Sequence, residues 1–239
     1  MRRVVLLSGL LLALPPSPLR ADALADVRAG LDRLTVAAPL RARVEISRNE
    51  TEKEKPKGPE RKGEAIVEHG PSGLSVHLDV AQLPKPGTKA ERRKREETSV
   101  RLDPEEALKL VDPASEIRQV LDGATVVSDR SEPFEGRSVR TVVLRPAPDI
   151  DEEDRKSVKR YDDVVTLRLE PDGVPITWQR SLDIKVSKML LSFTVTHRES
   201  RRFARVEGRL VTASATEESS GSGLGQSGST TTRWKVTPL

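Results

Sequence analysis

Apolar and polar residues alternate along most of this chain, and this period of two limits its fold more than any other feature. Residues 42–47 (ARVEIS) are one example. Because successive side chains of a β-strand point to opposite faces, the alternation predicts strands with one buried and one solvated face. Comparable segments separated by turn-forming residues continue almost to the end of the 239-residue chain. They predict about ten antiparallel strands.

The clearest strand pair is a hairpin, in which residues 64–69 and 74–80 flank the turn-forming sequence GPSG. If the turn closes symmetrically, His69 lies opposite Leu74. In that register nearly all the apolar side chains share one face and the charged ones share the other. A shift by one residue would mix the two sets, so the hydrophobic pattern itself selects the register.

Three short amphipathic helices interrupt the strand pattern. Apolar residues at helical spacing predict the first helix over roughly 22–35. A consecutive pair is predicted over 103–121, because Asp103-Pro104 and Asp112-Pro113 each supply an N-cap followed by a proline in the first turn.

Four stretches carry no apolar periodicity and are predicted to be loops. Mobile charged loops are expected near 48–62, 85–97 and 149–160, and a Ser/Gly loop over 214–230.

Together these elements predict an α+β fold in a single domain over residues 24–239. Consecutive strands prefer to be neighbours, so they should form a curved antiparallel sheet of about ten strands in a meander, an incomplete barrel. Its apolar concave face has to be covered, and the N-terminal helix and the inserted helical pair are the elements that can cap it.

This order resembles the LolA-like superfamily of periplasmic proteins, which includes outer-membrane lipoprotein carriers and related lipid- and lipoprotein-binding domains. The resemblance rests on the helices at 24–34 and 103–121, the strand segments FEGR (134–137) and VVLRP (142–146), and the hairpin sequence DGVPI (172–176). It implies a strongly bent sheet whose apolar cavity is closed by helices. It also implies transport of a lipid or an acylated protein towards the outer membrane.

The N-terminus is typical of an export signal. Arg2 and Arg3 precede an apolar run over residues 4–14, and small residues follow up to Ala23. The run is about half of the roughly 20 residues that span a bilayer. We therefore expect residues 1–23 to be a signal peptide cleaved near Ala23, and the mature protein to be periplasmic and not membrane-spanning.

The composition excludes several classes of function. The chain has no cysteine, which excludes a disulfide framework, a thiolate nucleophile and a zinc–thiolate site. The 41 Lys and Arg residues nearly balance the 37 Asp and Glu residues, giving a formal net charge of +4. A nearly balanced charge does not favour nucleic-acid binding.

No motif for catalysis or metal binding is present. The chain has three histidines, and the hairpin register places His69 and His77 on opposite faces, where they cannot share a metal. The common hydrolase, P-loop and dinucleotide signatures are missing. The sequence thus predicts a protein that is not an enzyme, with no cofactor and no metal.

A ligand cavity would be lined by inward apolar side chains of the late strands. The candidates are Val165, Leu167, Ile176, Trp178, Leu191 and Phe193. The lid would come from the helical pair, with Leu108, Leu110, Ile117 and Leu121 as candidates. From the sequence, the first set fits either an open cavity or a filled core.

The resulting hypothesis is an exported, non-catalytic carrier or binding protein that holds a lipid or acylated ligand in the concave apolar face. The alternative is a protein-interaction or envelope-sensor module on the same fold without a ligand cavity. In that case the charged loops at 48–62 and 85–97 would contact a protein partner.

Overall fold

The computed structural model describes residues 19–34, 39–78, 99–148, 150–188 and 191–239. Most of them belong to one antiparallel sheet of 11 strands that is not closed, and three helices cover part of one face. The helices are α1 (Leu19–Asp32), α2 (Pro104–Val111) and α3 (Pro113–Leu121). The predicted α+β class, with a curved open sheet capped by helices, is confirmed.

The strands follow the chain with one rearrangement. They are β1 (Leu40–Glu52), β2 (Lys55–Pro56), β3 (Arg61–Gly70), β4 (Gly73–Leu78), β5 (Thr125–Phe134), β6 (Arg137–Arg145), β7 (Val158–Leu169), β8 (Pro175–Lys188), β9 (Leu191–Val206), β10 (Arg209–Gly223) and β11 (Gln226–Pro238). Their order is β4-β3-β1-β11-β10-β9-β8-β7-β6-β5, with β2 beside β1. The meander holds from β5 to β11, but β1 pairs with the last strand, which places β4 and β5 at opposite edges.

The β3–β4 hairpin has the register predicted from its hydrophobic pattern. His69 lies opposite Leu74, and Val67 opposite Val76. Ala65 and Val67 are buried, so the apolar face of the hairpin points into the core as expected.

The helical pair is also confirmed. The Asp103 side chain accepts the backbone N–H of Glu105 at 2.8 Å, and Glu106 completes a capping box. The first helix begins three residues earlier than predicted, at Leu19. Of the predicted signal peptide, residues 1–18 lie outside the described residues, and residues 19–23 form the start of α1.

Two predicted interruptions are wrong, because strands run through them. The predicted Ser/Gly loop 214–230 instead forms the outer parts of β10 and β11, which pair up to a two-residue turn at Leu224-Gly225. Both turn residues have positive φ, as tight hairpins require. The alternation also predicts two strands over about 189–198 and 202–213 with Glu199-Ser200 between them, but β9 is continuous through these residues.

The predicted charged loops differ in outcome. Within 48–62, β1 continues to Glu52 and β2 follows a two-residue turn at Lys53-Glu54, because β11 extends alongside and supplies hydrogen-bond partners. In 149–160, turns precede β7, which starts at Val158. The stretch 85–97 lies outside the described residues.

The interior consists of two apolar clusters. Core A lies between α1, α3 and strands β5 to β10, with Trp178 as its largest side chain. Core B lies between α2 and strands β1, β3, β10 and β11, and includes Trp234. No helix in the described ranges is both long and apolar enough to span a bilayer.

A close backbone contact fixes α1 on the sheet. Gly30 of α1 packs on Gly173 of the β7–β8 turn, and a Cβ atom on Gly30 would lie 2.5 Å from the Gly173 carbonyl carbon. Gly173 has a φ of +82°, which only glycine adopts at low cost.

Candidate functional site

The strands β8 to β11 are longer than the helices that cover them. We call the side of the sheet that packs against the helices the inner face. On β9 this face carries Phe203, Arg201 and Glu199, which are buried, and then Val195 and Phe193, which are exposed. The uncovered end of the inner face is therefore continuous with the covered core.

A row of polar side chains marks the boundary between the covered and the uncovered part. Neighbouring strands align these residues directly opposite one another on the inner face. This charged row consists of Arg180, Glu199, Glu217, Thr232 and Arg48.

Two buried ion pairs compensate most of the charge in and beside the row. Arg180 donates two hydrogen bonds to Asp163, at 3.0 and 2.7 Å, and these bonds raise the pKa of Arg180 above its ordinary value. Arg201 donates to Glu199 at 2.6 Å and also to Glu116 of α3. Burial alone would lower the pKa of Arg201, but the two carboxylates raise it overall.

The indole of Trp178 ties core A to this network. Its Nε1–H donates to Glu199 at 2.9 Å, and the Arg201 guanidinium lies 5.9 Å from the ring centroid. Arg180, Arg201 and Glu199 thus each have a specific partner, as buried charges require.

Beyond the charged row and His197, the inner face of β8 and β9 is apolar, and the helices of the described ranges do not cover it. We call this surface the open trough; it consists of Leu182, Ile184, Val186, Leu191, Phe193 and Val195. Ile184 lies opposite Val195, and Val186 opposite Phe193. Leu191, Phe193 and Val195 are exposed. A contiguous apolar surface of this kind is typical of a binding site rather than of an ordinary protein surface.

The neighbouring strand β10 carries small residues beside the trough. Its inner face carries Ser219, Gly221 and Gly223 opposite His197, Val195 and Phe193. A Cβ atom on Gly223 would lie 2.4 Å from Cδ1 of Phe193, so the Phe193 ring rests directly on the β10 backbone. The Ser/Gly composition that predicted a loop therefore accommodates an aromatic side chain.

A cavity of about 210 Å³ lies where the charged row meets α2. Its walls include Lys109 and Glu106 of α2, Glu217 and Trp234 of the sheet, and His197 at the edge of the open trough. The cavity thus joins polar groups to the start of an apolar surface.

The sequence-predicted cavity residues lie in three different places. Val165, Leu167 and Trp178 are fully buried in core A, under the helices, while Leu191 and Phe193 belong to the open trough. A further candidate, Ile176, lines a surface cavity of about 540 Å³ next to the β7–β8 turn.

Of the lid candidates, three are packed into the cores and one faces solvent. Leu110 belongs to core B, and Ile117 and Leu121 to core A. The Leu108 side chain is 38% exposed.

The candidate residues chosen from the sequence include none of the charged row and only two of the six trough residues, Leu191 and Phe193. The charged row has no sequence motif, because its members come from five strands. Leu182, Ile184 and Val186 did carry a signal, since the alternation of β8 continues through them.

One arrangement superficially resembles a catalytic triad. The Nδ1 atom of His197 lies 3.0 Å from Ser219 Oγ and 3.7 Å from a carboxylate oxygen of Glu217. In a triad the hydroxyl and the carboxylate contact different ring nitrogens, whereas here both lie beside Nδ1. Ser219 also lies inside a strand that pairs with a neighbour on each side, so its backbone groups take part in the hydrogen bonding of the sheet. This geometry does not favour nucleophilic catalysis.

The other histidines lie elsewhere. The backbone carbonyl of His69 accepts a hydrogen bond from Arg209 at 3.3 Å. His77 is exposed on the opposite face of the β3–β4 hairpin. Within the described ranges, no group of three His, Asp or Glu side chains is arranged to hold a metal ion.

Comparison with known proteins adds no assignment: no protein-family model, no curated protein and no solved structure matches this chain.

Proposed function

We propose that this protein is an exported, non-catalytic carrier that holds the apolar chain of a lipid or acylated ligand in the open trough. The observation that carries the proposal is the open trough itself: six apolar side chains lie on the inner face beyond the helices, and three of them are exposed. The described helices leave this surface open to solvent, and burying it under an apolar ligand would remove it from water, which is favourable.

The energetics of such a site suit a long alkyl chain. Each buried methylene contributes about 0.8 kcal/mol, so a chain can bind usefully without any polar anchor. The open trough supplies branched and aromatic side chains on β8 and β9, and Gly221 of β10 leaves room beside them.

The proposed site differs from the cavity expected under the helices. Val165, Leu167 and Trp178 pack tightly with α1 and α3 in core A, so they support the sheet behind the site rather than line it. In this proposal Leu191 and Phe193 line the ligand site, as the sequence predicts.

The resemblance to LolA-like proteins and the N-terminal pattern support the cellular part of the proposal. Both indicate an exported periplasmic protein that handles lipids or lipoproteins. Recovery of the protein from a periplasmic extract, with a mature N-terminus near Leu24, is the expected result. An uncleaved protein in the cytoplasm would contradict it.

A binding assay with a neutral ligand tests the trough. The fluorescent probe N-phenyl-1-naphthylamine should bind the purified protein and be displaced by dodecanol. Replacing Phe193 by Asp places a charge on the apolar surface, and we expect it to weaken dodecanol binding at least tenfold, about 1.4 kcal/mol or more.

Thr194→Asp is the matched control, because Thr194 is the next residue of β9 and is exposed on the outer face. It introduces the same charge and should leave binding unchanged. Phe193→Asp also removes the contact of the ring with β10, so urea unfolding of both variants is measured and binding is compared where both remain folded. Equal binding by the two variants, or no probe binding at all, would reject the trough and favour the protein-interaction module.

A further inference from the structure

The cavity beside α2 contains a buried donor that has no partner. Trp234 is only 7% exposed, its indole forms part of the cavity wall, and its Nε1–H makes no hydrogen bond within the described structure. Buried donors are almost always hydrogen-bonded, because an unpaired one loses its water without compensation. An acceptor that the described residues do not supply would therefore stabilise this position.

The same cavity contains a carboxylate without a strong cationic partner. Arg180 and Arg201 are committed to Asp163 and Glu199, and Lys109 lies 2.8 Å from Glu105. For Glu217, by contrast, the ion-pair candidate in the described part of the chain is His197, at 3.7 Å. The Glu217 side chain is 37% exposed, so it is accessible to a ligand.

The two groups lie close enough to bind one head group. Ala215 pairs with Trp234, and Glu217 with Thr232, which makes Glu217 and Trp234 diagonal neighbours on the inner face. Diagonal neighbours in an antiparallel sheet have Cβ atoms roughly 7 Å apart. A carboxylate beside an indole is a favourable environment for an ammonium ion, through ion pairing and cation–π attraction.

We propose that this cavity binds the head group of an amphiphilic amine whose alkyl chain lies in the open trough. The ammonium pairs with Glu217, and an oxygen near it, as in an amino alcohol, accepts the Nε1–H of Trp234. This inference rests on the proposed carrier function and specifies its ligand class. An anionic head group is disfavoured, because the three cations that line the cavity, Lys109, Arg180 and Arg201, are already paired with carboxylates, which leaves Glu217 as the charge that faces the ligand.

Three probes with the same alkyl chain test the head-group preference in the displacement assay at pH 7. These are dodecylamine, dodecanol and dodecanoate. We expect dodecylamine to bind about tenfold more tightly than dodecanol, and dodecanoate to bind more weakly than both.

Glu217→Gln should reduce the affinity for dodecylamine to that for dodecanol and leave dodecanol binding unchanged. Glu218→Gln is the matched control, since Glu218 is the next residue of β10 and is exposed on the outer face. Tryptophan emission provides a second measurement: adding 2-amino-1-dodecanol should change the emission of the unmodified protein and leave that of Trp234→Phe constant, because the remaining Trp178 is fully buried.

The outcomes separate this inference from the carrier function. If all three probes bind equally, or dodecanoate binds best, the amine site is rejected while the carrier function stands. If the amine preference survives in Glu217→Gln, the assignment of Glu217 is wrong. If no probe binds, both proposals fail.

Discussion

Arg201 is an arginine in the middle of a sheet interior, and its two carboxylate partners explain how the fold tolerates it. Glu199 lies on the same strand, and Glu116 reaches it from α3. Removing one member of a buried ion pair leaves an uncompensated charge, which is far more costly than losing a surface pair.

Replacing Arg201 by Met keeps a similar volume but leaves Glu199 and Glu116 without their cation. We expect the free energy of unfolding, measured with urea, to fall by about 3 kcal/mol. Arg198→Met is the control, because Arg198 pairs with Asp183 on the outer face and is 43% exposed; there the loss should stay below about 1 kcal/mol. Similar losses for the two variants would show that the buried cluster does not stabilise the fold.

This residue also shows why sequence reasoning divided β9 in two. The run RESRR at 198–202 has the composition of a solvated turn. Glu199 and Arg201 have the parity of inward residues, but the second carboxylate partner of Arg201, Glu116 on α3, is 85 positions away in the sequence. No local pattern reveals this partner.

At the level of elements, α1 illustrates how a tertiary contact reverses a local preference. Alanine is the better helix former by about 1 kcal/mol, so Gly30→Ala would stabilise an isolated helix. In the protein, the new methyl group would collide with the backbone of Gly173, and backbone atoms cannot rotate away as a flexible side chain can.

We therefore expect Gly30→Ala to destabilise the protein by about 1–3 kcal/mol in thermal or urea unfolding. Gly58→Ala serves as its control, because a Cβ atom on Gly58 would have no neighbour within 4 Å, and its effect should be close to zero. A stabilised Gly30→Ala protein would mean that α1 does not pack on the β7–β8 turn as described.

The elements whose own sequence selects their structure were predicted well. The β3–β4 register follows from its hydrophobic pattern, and α2 and α3 follow from their Asp-Pro starts. The hairpin of β10 and β11 was missed because Ser and Gly carry no apolar signal. Those strands persist because β9 and β1 offer them hydrogen-bond partners along their length.

For the whole molecule, the decisive feature is the pairing of β1 with β11, which joins the first strand to the last. Glu45 and Lys235 are direct partners in this ladder, and their side chains form an ion pair at 3.5 Å. A simple meander would keep these strands far apart.

Because the chain has no cysteine, an engineered pair reports on this pairing without interference. Glu45→Cys with Lys235→Cys should oxidise to an intramolecular disulfide, since direct partners have Cα atoms about 5 Å apart. The disulfide would close a loop that contains most of the chain, which lowers the entropy of the unfolded state and should raise the unfolding midpoint. Non-reducing gels and peptide mapping detect it.

The control combines Glu45→Cys with Thr166→Cys on β7. Five strand spacings separate β1 from β7 in the sheet, roughly 24 Å at about 4.8 Å each, so this pair should remain reduced. An intramolecular bond in the control, or none in the test pair, would contradict the strand order.

The sequence by itself determined the helices, the sidedness of the sheet and the strand segments with an apolar alternation, because these depend on periodicity and capping within a few residues. It also indicated Leu191 and Phe193 as inward positions. Only the tertiary structure decided the rest: which end of the inner face the helices cover, which apolar residues become core and which remain in the open trough, and how the charged row assembles from five strands. These features depend on pairings between residues up to about 190 positions apart, where loop closure and burial, rather than local preference, select the arrangement.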